Sequence, residues 1–417
     1  MGIKNQLTLM SFLQFFIWGA WLITVGNYWF ATKQWNGAEF GAIFSTLGIS
    51  SLFMPAITGI IADKWMNAEK LYGILHILGG LAIAYIPQVN SPTNFFWVIL
   101  IAMIFYMPTI SLSNSVAYYI LKENNFEVIK VFPPIRVWGT IGFIVAMWTT
   151  NLTGNKASSN MFYISALASI ALGIYSFTLP KCKPQNLISS NSSFIESLGL
   201  NAFKLFATYK MALFFIFSMF LGAALQLTNM YGDVFLSDFS KIPAYADSIV
   251  VKYSTIIMSI SQISETLFIL AIPFFLKKFG IKQVMLISML AWVLRFALFA
   301  YGDPSGGLWM IILSCIVYGM AFDFFNISGS LFVETSTDAS IRSSAQGLFM
   351  MMTNGFGAMF GSSVSGFIID KYFTHDGSKD WQSIWLTFAI YALVIAIAFA
   401  ILFKHKHNPK DVEAVAH

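Results

Sequence analysis

The chain has 417 residues, and its 24 Lys and Arg and 19 Asp and Glu make only 10% of it charged. Hydrophobic residues make up 57% of the chain. The chain contains 42 Phe residues, and its mean hydropathy is +0.70. Soluble globular domains carry roughly 25% charged residues to cover their cores. The composition therefore excludes a soluble enzyme, a nucleic-acid-binding protein and a disordered chain, and it predicts an all-α polytopic membrane protein.

Twelve apolar runs are long enough to cross a membrane, for which a helix needs roughly 20 residues. We predict spans 1 to 6 at residues 6–30, 38–61, 71–87, 94–120, 135–151 and 161–179. We predict spans 7 to 12 at residues 211–236, 251–276, 282–302, 307–333, 343–369 and 383–403. The first run is too long for the core of a signal peptide, so we expect span 1 to be retained.

A polar segment divides the spans into two groups of six. It begins with Lys181, Cys182 and Lys183 and continues into a stretch rich in Ser and Asn. The predicted segments are an N-terminal six-helix half (1–180), a cytoplasmic linker (181–208), a C-terminal six-helix half (209–404) and a cytoplasmic tail (405–417). Basic residues concentrate in the loops on the side of the N-terminus, and such loops are typically cytoplasmic. This asymmetry predicts that both termini lie in the cytoplasm.

The loop after span 2 resembles a known transporter signature. Gly59, Asp63 and Lys64 are similar to the motif between spans 2 and 3 of the major facilitator superfamily, although its usual Gly-Arg-Lys continuation is replaced by residues 67–70. Combined with twelve spans in two halves, the resemblance implies the major facilitator fold. In that plan the substrate binds between the halves near the membrane midplane.

Four charged residues lie within or at the edge of predicted spans, namely Arg136, Glu265, Arg295 and Asp323. Each costs roughly 2.5–3.5 kcal/mol at the centre of a membrane helix. We therefore expect them to face the protein interior or a water-filled cavity rather than lipid. One hypothesis is that Arg295 pairs with Asp323 and keeps it ionised, which leaves Glu265 as the more easily protonated carboxylate.

Helical spacing places polar and aromatic residues on common faces, since residues three, four and seven apart are neighbours on a helix. The resulting stripes are Arg136, Thr140 and Phe143 on span 5, Gln226 and Asn229 on span 7, Gln262 and Glu265 on span 8, and Tyr318 and Phe322 with Asp323 beside them on span 10. If the stripes converge, their rings can stack on a planar base and their amides can bind its edge. No cluster of Arg and Lys is available for phosphates, which disfavours nucleotides and sugar phosphates.

These residues also have structural interpretations. Gln and Asn in membrane spans often serve only to bond neighbouring helices, and Phe and Tyr often serve only to pack. Arg136, near the cytoplasmic end of span 5, can simply extend its charge to the interface. Glu265 lies deep within span 8 and is the strongest single candidate for function. Gly357 and Gly361 on span 11 predict close helix packing.

Four segments closely resemble the bacterial nucleoside permeases of the nucleoside–proton symporter family. They are Ser-Phe-Leu-Gln-Phe with Trp-Gly in residues 11–19, Phe-Pro-Pro-Ile-Arg-Val-Trp-Gly-Thr-Ile-Gly-Phe at 132–143, Ser-Ile-Ser-Gln-Ile-Ser-Glu-Thr-Leu-Phe at 259–268 and Tyr-Gly-Met-Ala-Phe-Asp-Phe-Phe-Asn-Ile-Ser at 318–328. The resemblance covers nearly the whole chain and weakens at the linker and after Lys404. It implies import of purine and pyrimidine nucleosides, driven by the proton gradient, across the bacterial inner membrane by alternating access.

The resemblance also assigns roles to the residues of the stripes. It places the nucleoside site at Arg136, Thr140, Phe143, Gln226, Asn229, Gln262, Glu265, Tyr318 and Phe322. Asp323 is implied to be a further functional carboxylate, and Glu265 and Asp323 are the two candidates for proton coupling.

The remaining expectations concern partners and alternatives. We expect a monomer surrounded by lipid that binds nucleoside and protons but no nucleic acid. The chain has no ATP-binding loop, metal-ligand spacing or nucleophile–base pair, so we expect neither a cofactor nor an enzyme. The alternatives are a transporter of another neutral polar solute, such as an oligosaccharide, and a membrane-embedded sensor or enzyme.

Overall fold

The computed structural model describes residues 2–184, 200–338 and 341–406. Residues 185–199 of the predicted linker and residues 407–417 of the predicted tail lie outside the described residues. The described chain forms two compact helical units, one ending at residue 184 and the other beginning at residue 200.

Helices occupy all six predicted spans of the first unit. Span 1 comprises Ile3–Gly19 followed by the short helices Val25–Asn27 and Tyr28–Thr32, and spans 2 to 6 are Gly37–Lys64, Ala68–Tyr85, Pro92–Glu123, Val128–Leu152 and Asn160–Ser176. The short 3₁₀ helix Ile86–Gln88 extends span 3. The prediction for this half is thus confirmed, with most helices extending past the apolar runs that predicted them.

The second unit also contains its six predicted spans. Spans 7, 10 and 12 are Tyr209–Asp238, Leu308–Ser336 and Trp381–Leu402, spans 8 and 9 lie within Ser254–Tyr301, and span 11 comprises Arg342–Met350, the π-helix Met351–Gly357 and Ala358–Phe373. Short helices at Leu200–Ala207, Phe239–Lys241, Pro243–Tyr245 and Ile249–Lys252 flank them. Among the described residues, strands are confined to the antiparallel pair Thr374–His375 and Ser378–Lys379.

Three interruptions and one short helix explain why eight continuous helices of the described chain, rather than twelve, are long and apolar enough to cross a membrane. Spans 8 and 9 form one of these eight, and they are separated by Gly280, whose φ of 77° favours glycine. Span 1 is broken after Gly19, and span 11 contains a π-helix. The helix of span 6 has 17 residues, which is slightly short.

Glycines allow close packing of spans 7 and 11, as the sequence predicts. A Cβ atom at Gly357 would lie 2.6 Å from the carbonyl oxygen of Met219, and one at Gly361 would overlap Ala223. Gly222 on span 7 meets the backbone of Thr353 in the same way. Small residues at such positions let membrane helices gain van der Waals contact.

A buried carboxylate ties the start of span 3 to the segment that follows span 6. Glu69 is 2% exposed, and its Oε2 accepts a 2.7 Å hydrogen bond from the backbone N–H of Cys182. The backbone N–H of Ala68 donates to the carbonyl oxygen of Cys182 at 3.0 Å. Burial, reinforced by the neighbouring Glu69 charge, raises the pKa of the Cys182 thiol to about 12. Glu69 is therefore a structural anchor where the superfamily motif departs from its usual sequence.

Candidate functional site

In the first half, Arg136 rests on an aromatic ring of span 1. Its guanidinium carbon lies 4.0 Å from the ring centroid of Phe15, which is a favourable cation–π distance. The helix of span 5 begins at Val128, about two turns before Arg136, so the side chain packs within this half and does not mark a helix end. Gly139 provides the room, because a Cβ atom there would lie 2.7 Å from Arg136 Nη1 and 2.7 Å from Phe15 Cδ2.

Phe143 lies two turns further along span 5 and contacts a second aromatic residue of span 1. Its ring lies edge-on to Trp18 with centroids 6.4 Å apart, and Trp18 lies 5.7 Å from Tyr106 on span 4. The indole nitrogen of Trp18 is buried without a protein hydrogen-bond partner. Arg136, Thr140 and Phe143 all remain partly exposed.

A buried polar network connects spans 1, 3 and 4. Gln14 Oε1 accepts hydrogen bonds from the Tyr72 hydroxyl (2.6 Å) and contacts His76 Nε2 (2.9 Å), while Gln14 Nε2 donates to Thr109 Oγ1 (2.9 Å). The Tyr106 hydroxyl donates to the Gln14 carbonyl at 2.7 Å. Gln14 lies at the centre of this network, and His76 beside it is 1% exposed. Gln14 and His76 are polar residues within apolar runs, and this feature of the sequence could have identified both of them.

In the second half, spans 7, 8 and 10 carry buried polar atoms without protein partners. They include Gln226 Oε1, Gln262 Oε1 and Asp323 Oδ2. Gln226 is 6% and Asp323 5% exposed, whereas Asn229, Gln262 and Glu265 are partly exposed. A buried acceptor without a hydrogen bond is costly, which favours a role in binding a ligand, water or a proton.

Aromatic side chains form a platform beside these acceptors. Tyr318 and Phe322 stack with centroids 5.9 Å apart and planes within 10° of parallel. Gly319 brings span 10 against span 8, because a Cβ atom there would lie 2.6 Å from the carbonyl oxygen of Ser264 and 2.7 Å from the backbone nitrogen of Glu265. The Ser264 hydroxyl donates to the carbonyl oxygen of Ile316. The stripes of spans 8 and 10 are therefore neighbours.

Arg295 does not pair with Asp323, so that hypothesis is wrong. Its Nη1 donates instead to the carbonyl oxygen of Ser314 at 2.6 Å. None of the ion pairs found in the described residues, which join Lys130 to Glu127, Lys241 to Asp238 and Arg342 to Glu334, includes Arg295. The guanidinium carbon of Arg295 lies 4.8 Å from the ring centroid of Tyr318 and 5.0 Å from that of Phe299.

A small cavity of about 20 Å³ lies within the second half, next to Phe322. Its polar lining comes from Asn326 on span 10 and from Thr353 and Asn354 in the π-helix of span 11. A cavity of this size can hold one water molecule. The sequence stripes did not include Asn354, because a π-helix shifts the side chains that follow it relative to an α-helical face.

A further buried carboxylate, Asp233, lies on span 7. It is fully buried and accepts hydrogen bonds from the Thr255 hydroxyl at 3.1 and 3.2 Å. Asp233 was not among the predicted site residues, because it lies close to the end of the apolar run of span 7. Within the described part of the chain, no three His, Cys, Asp or Glu side chains are grouped to hold a metal ion.

Twelve helices in two groups of six, with polar and aromatic stripes on several of them, define a polytopic membrane transporter of the major facilitator fold. The family model described as "Nucleoside H+ symporter" matches residues 1–408. The chain belongs to the nucleoside H+ symporter family.

Similar proteins with related names align with this chain over their full length. The chain is 52% identical to the nucleoside permease NupG of Escherichia coli and 52% identical to the xanthosine permease of the same organism, each alignment covering 100% of both chains. Its structure matches a crystal structure of the nucleoside transporter NupG with a TM-score of 0.91 at 53% identity, covering 97% of this chain and 100% of the other.

Proposed function

We propose that this protein imports purine and pyrimidine nucleosides together with protons across the bacterial inner membrane by alternating access. Membership of the nucleoside H+ symporter family supports the reaction class. The relatives named for nucleosides in general and for xanthosine support a range of bases. The observation that carries the proposal is that aromatic rings lie near buried polar atoms that have no hydrogen-bond partner in the protein. A nucleoside has a flat base that can stack on such rings, and its edge carries donors and acceptors that can bond such atoms.

The proposed nucleoside ligands form one group in each half. In the first half they are Arg136, Thr140 and Phe143, and in the second half they are Gln226, Asn229, Gln262, Glu265, Tyr318 and Phe322. The guanidinium and amide groups bind the polar edges of the nucleoside, and Phe143, Tyr318 and Phe322 contact its base. This mode of binding requires no phosphate, cofactor or metal ion.

Glu265 and Asp323 are the proposed proton-coupling carboxylates. Both lie on helices of the second half that meet at Gly319. The two side chains are within electrostatic range of each other. Like charges on neighbouring helices repel each other, and a proton bound by either carboxyl group removes that repulsion. Binding of nucleoside next to Glu265 would then be linked to the protonation state of the pair.

Uptake of labelled uridine into proteoliposomes tests the proposal. We expect accumulation driven by an inward proton gradient, competition by purine and pyrimidine nucleosides, and no competition by maltose. Glu265→Gln should abolish gradient-driven accumulation. Glu334→Gln is the matched control, since Glu334 lies at the end of span 10 in an exposed ion pair with Arg342. Retained accumulation in Glu265→Gln would exclude Glu265 as the sole proton carrier, and competition by maltose but not by nucleosides would favour the oligosaccharide alternative.

We further propose that the protein functions as a monomer with both termini in the cytoplasm. The excess of basic residues in the loops on that side supports the orientation. Labelling of single cysteines placed in loops with an impermeant thiol reagent tests it. Introduced thiols at Lys64 and Lys122 should be protected in intact cells, and one at Lys156 should react. The mass of the detergent-solubilised protein, measured by light scattering, tests the monomer.

A further inference from the structure

A groove between spans 9 and 12 opens on the outer surface of the second half. Its volume is about 460 Å³, which lies within the range of about 300–1,000 Å³ that is typical of ligand pockets. Apart from Gln283, all of the residues that line it are apolar. Leu290 on span 9 and Ile397 on span 12 are each 52% exposed. Exposed apolar surface within a membrane span is in contact with lipid chains, so the groove is accessible from the bilayer.

Small side chains on span 12 create this groove. Ala396 and Ala400 are four residues apart and therefore lie on one face of the helix, while Leu290 lines the groove from span 9. The two helices pack closely further from this end, where Phe296 stacks on Trp385 with centroids 5.8 Å apart. Beyond those rings, the alanine side chains are too short to fill the space between the helices.

Two lysine ammonium groups lie at one end of the groove. Lys282 Nζ donates a 3.0 Å hydrogen bond to the carbonyl oxygen of Ala400, one of the last four carbonyls of span 12, which have no partner within an α-helix. Lys278 Nζ lies 5.3 Å from the ring centroid of Phe279, which also lines the groove. Both lysines are close to Gly280, which separates spans 8 and 9. The end of the groove at which these spans leave the membrane is therefore positively charged.

The charge of these lysines is not balanced by acidic residues of the same segments. Residues 266–302 and 381–410 contain neither Asp nor Glu. None of the ion pairs found in the described residues includes Lys278 or Lys282. Three more lysines follow at the same ends of spans 8 and 12, namely Lys277, Lys404 and Lys406. An apolar groove that ends in positive charge complements a molecule with a long apolar chain and an anionic head.

We propose that this groove is a binding site for an anionic phospholipid, whose acyl chain lies between spans 9 and 12 and whose phosphate contacts Lys278 and Lys282. Basic pockets between membrane helices are typical sites for anionic headgroups. Gln283 follows Lys282 and can donate to the phosphate or ester oxygens of the lipid. The bound lipid fills the space beside the alanines and joins the two helices at the end where Lys282 already bridges them. None of the lining residues is among the proposed nucleoside ligands.

Photolabelling of the full chain in phosphatidylcholine vesicles tests the site. The probe is phosphatidylglycerol with a diazirine on one acyl chain, and mass spectrometry of peptides locates the label. We expect label on spans 9 and 12, displaced by unlabelled phosphatidylglycerol but not by added phosphatidylcholine or by glycerol phosphate. Lys278→Gln combined with Lys282→Gln should weaken binding of phosphatidylglycerol by about 25-fold, since each lysine near a membrane surface contributes about 1 kcal/mol and 1.4 kcal/mol is a factor of ten.

Two control variants separate the charge from the groove. Lys181→Gln combined with Lys183→Gln removes the same charge from exposed residues after span 6, and it should leave the labelling unchanged. Ala400→Trp fills the groove without removing charge, and it should abolish labelling of spans 9 and 12.

Several results would overturn the proposal. Equal displacement by phosphatidylcholine or by glycerol phosphate would do so, as would labelling that Ala400→Trp leaves unchanged. A dimer in light scattering that Ala400→Trp converts to monomers would assign the groove to a second copy of the chain. If the double variant of Lys278 and Lys282 does not fold, wild-type protein in about 1 M salt replaces it, because a Debye length of about 3 Å should reduce the preference for phosphatidylglycerol. A preference that does not change with salt would contradict the headgroup contacts. Photolabelling requires no transport, so its failure leaves the proposed function untouched.

Discussion

The guanidinium carbon of Arg136 lies 4.0 Å from the ring centroid of Phe15, so span 1 supports the one cation among the proposed nucleoside ligands. Phe15 is 121 positions away in the sequence and was not among the predicted site residues. A cation–π contact of this kind stabilises the bound arginine by about 0.5–2 kcal/mol.

The contact predicts an effect of Phe15→Leu on substrate affinity. Loss of the ring should free Arg136 to adopt other rotamers, and the KM for uridine should rise by about 2- to 30-fold, in line with that energy. Phe16→Leu is the matched control, because Phe16 stacks on Phe12 on the same helix rather than on Arg136. An unchanged KM in Phe15→Leu would show that the support is not needed for binding.

Two neighbouring glycines of span 5 should respond differently to alanine. A Cβ atom at Gly139 would meet the flexible end of Arg136, so Gly139→Ala should impair uridine uptake with little loss of stability. A Cβ atom at Gly142 would overlap the backbone of Phe12, so Gly142→Ala should destabilise the protein by about 1–3 kcal/mol. Thermal unfolding in detergent and uptake assays measure the two effects. Equal stability losses in both variants would contradict the prediction.

Gln14 should contribute strongly to the stability of the first half. Gln14→Leu leaves the Tyr72 hydroxyl and His76 Nε2 without their partner, and each buried group left unpaired costs about 1–3 kcal/mol. We expect a clear fall in the midpoint of thermal unfolding. Gln88→Leu serves as the control, since Gln88 bonds the Tyr163 hydroxyl at the surface and its loss should cost less than about 0.5 kcal/mol.

The raised pKa of Cys182 predicts slow and pH-dependent thiol labelling. A thiol with a pKa of about 12 is almost entirely protonated at pH 8, and only the thiolate is nucleophilic. In a Cys315→Ser background, labelling of Cys182 should be at least about 100-fold slower than that of an exposed thiol and should still rise with pH above 9. Glu69→Gln removes the neighbouring charge and should accelerate labelling at pH 8. Rapid labelling of the parent protein at pH 8 would disprove the raised pKa.

Local patterns were sufficient to predict the helices and several contacts between residues close in sequence. The stacking of Tyr318 on Phe322 joins residues four apart, which are neighbours on any α-helix. The close packing at Gly357 and Gly361 followed from the small residues themselves. Interruptions such as the π-helix in span 11 were missed, because apolar periodicity varies little between an α-helix and a π-helix of one turn.

Contacts between distant helices could not be predicted in the same way. The position of His76 beside Gln14 depends on the rotation of spans 1 and 3 about their axes, which apolar runs on all sides of a membrane helix leave undetermined. The pairing of Arg295 with Asp323 was a reasonable guess from charge alone. The tertiary structure instead places the guanidinium between rings and the Ser314 carbonyl.

The amino-acid composition alone places this protein in a membrane, because 10% charged residues cannot cover a soluble protein of 417 residues. The order of residues along the chain also indicates the twelve spans and the few polar residues within them, since burial of polar groups in lipid is too costly to be accidental. The contacts between distant side chains, such as Phe15 with Arg136 and Arg295 with Tyr318, became known from the three-dimensional structure. Those contacts depend on how helices pack, and helix packing is fixed by side chains far apart in the sequence.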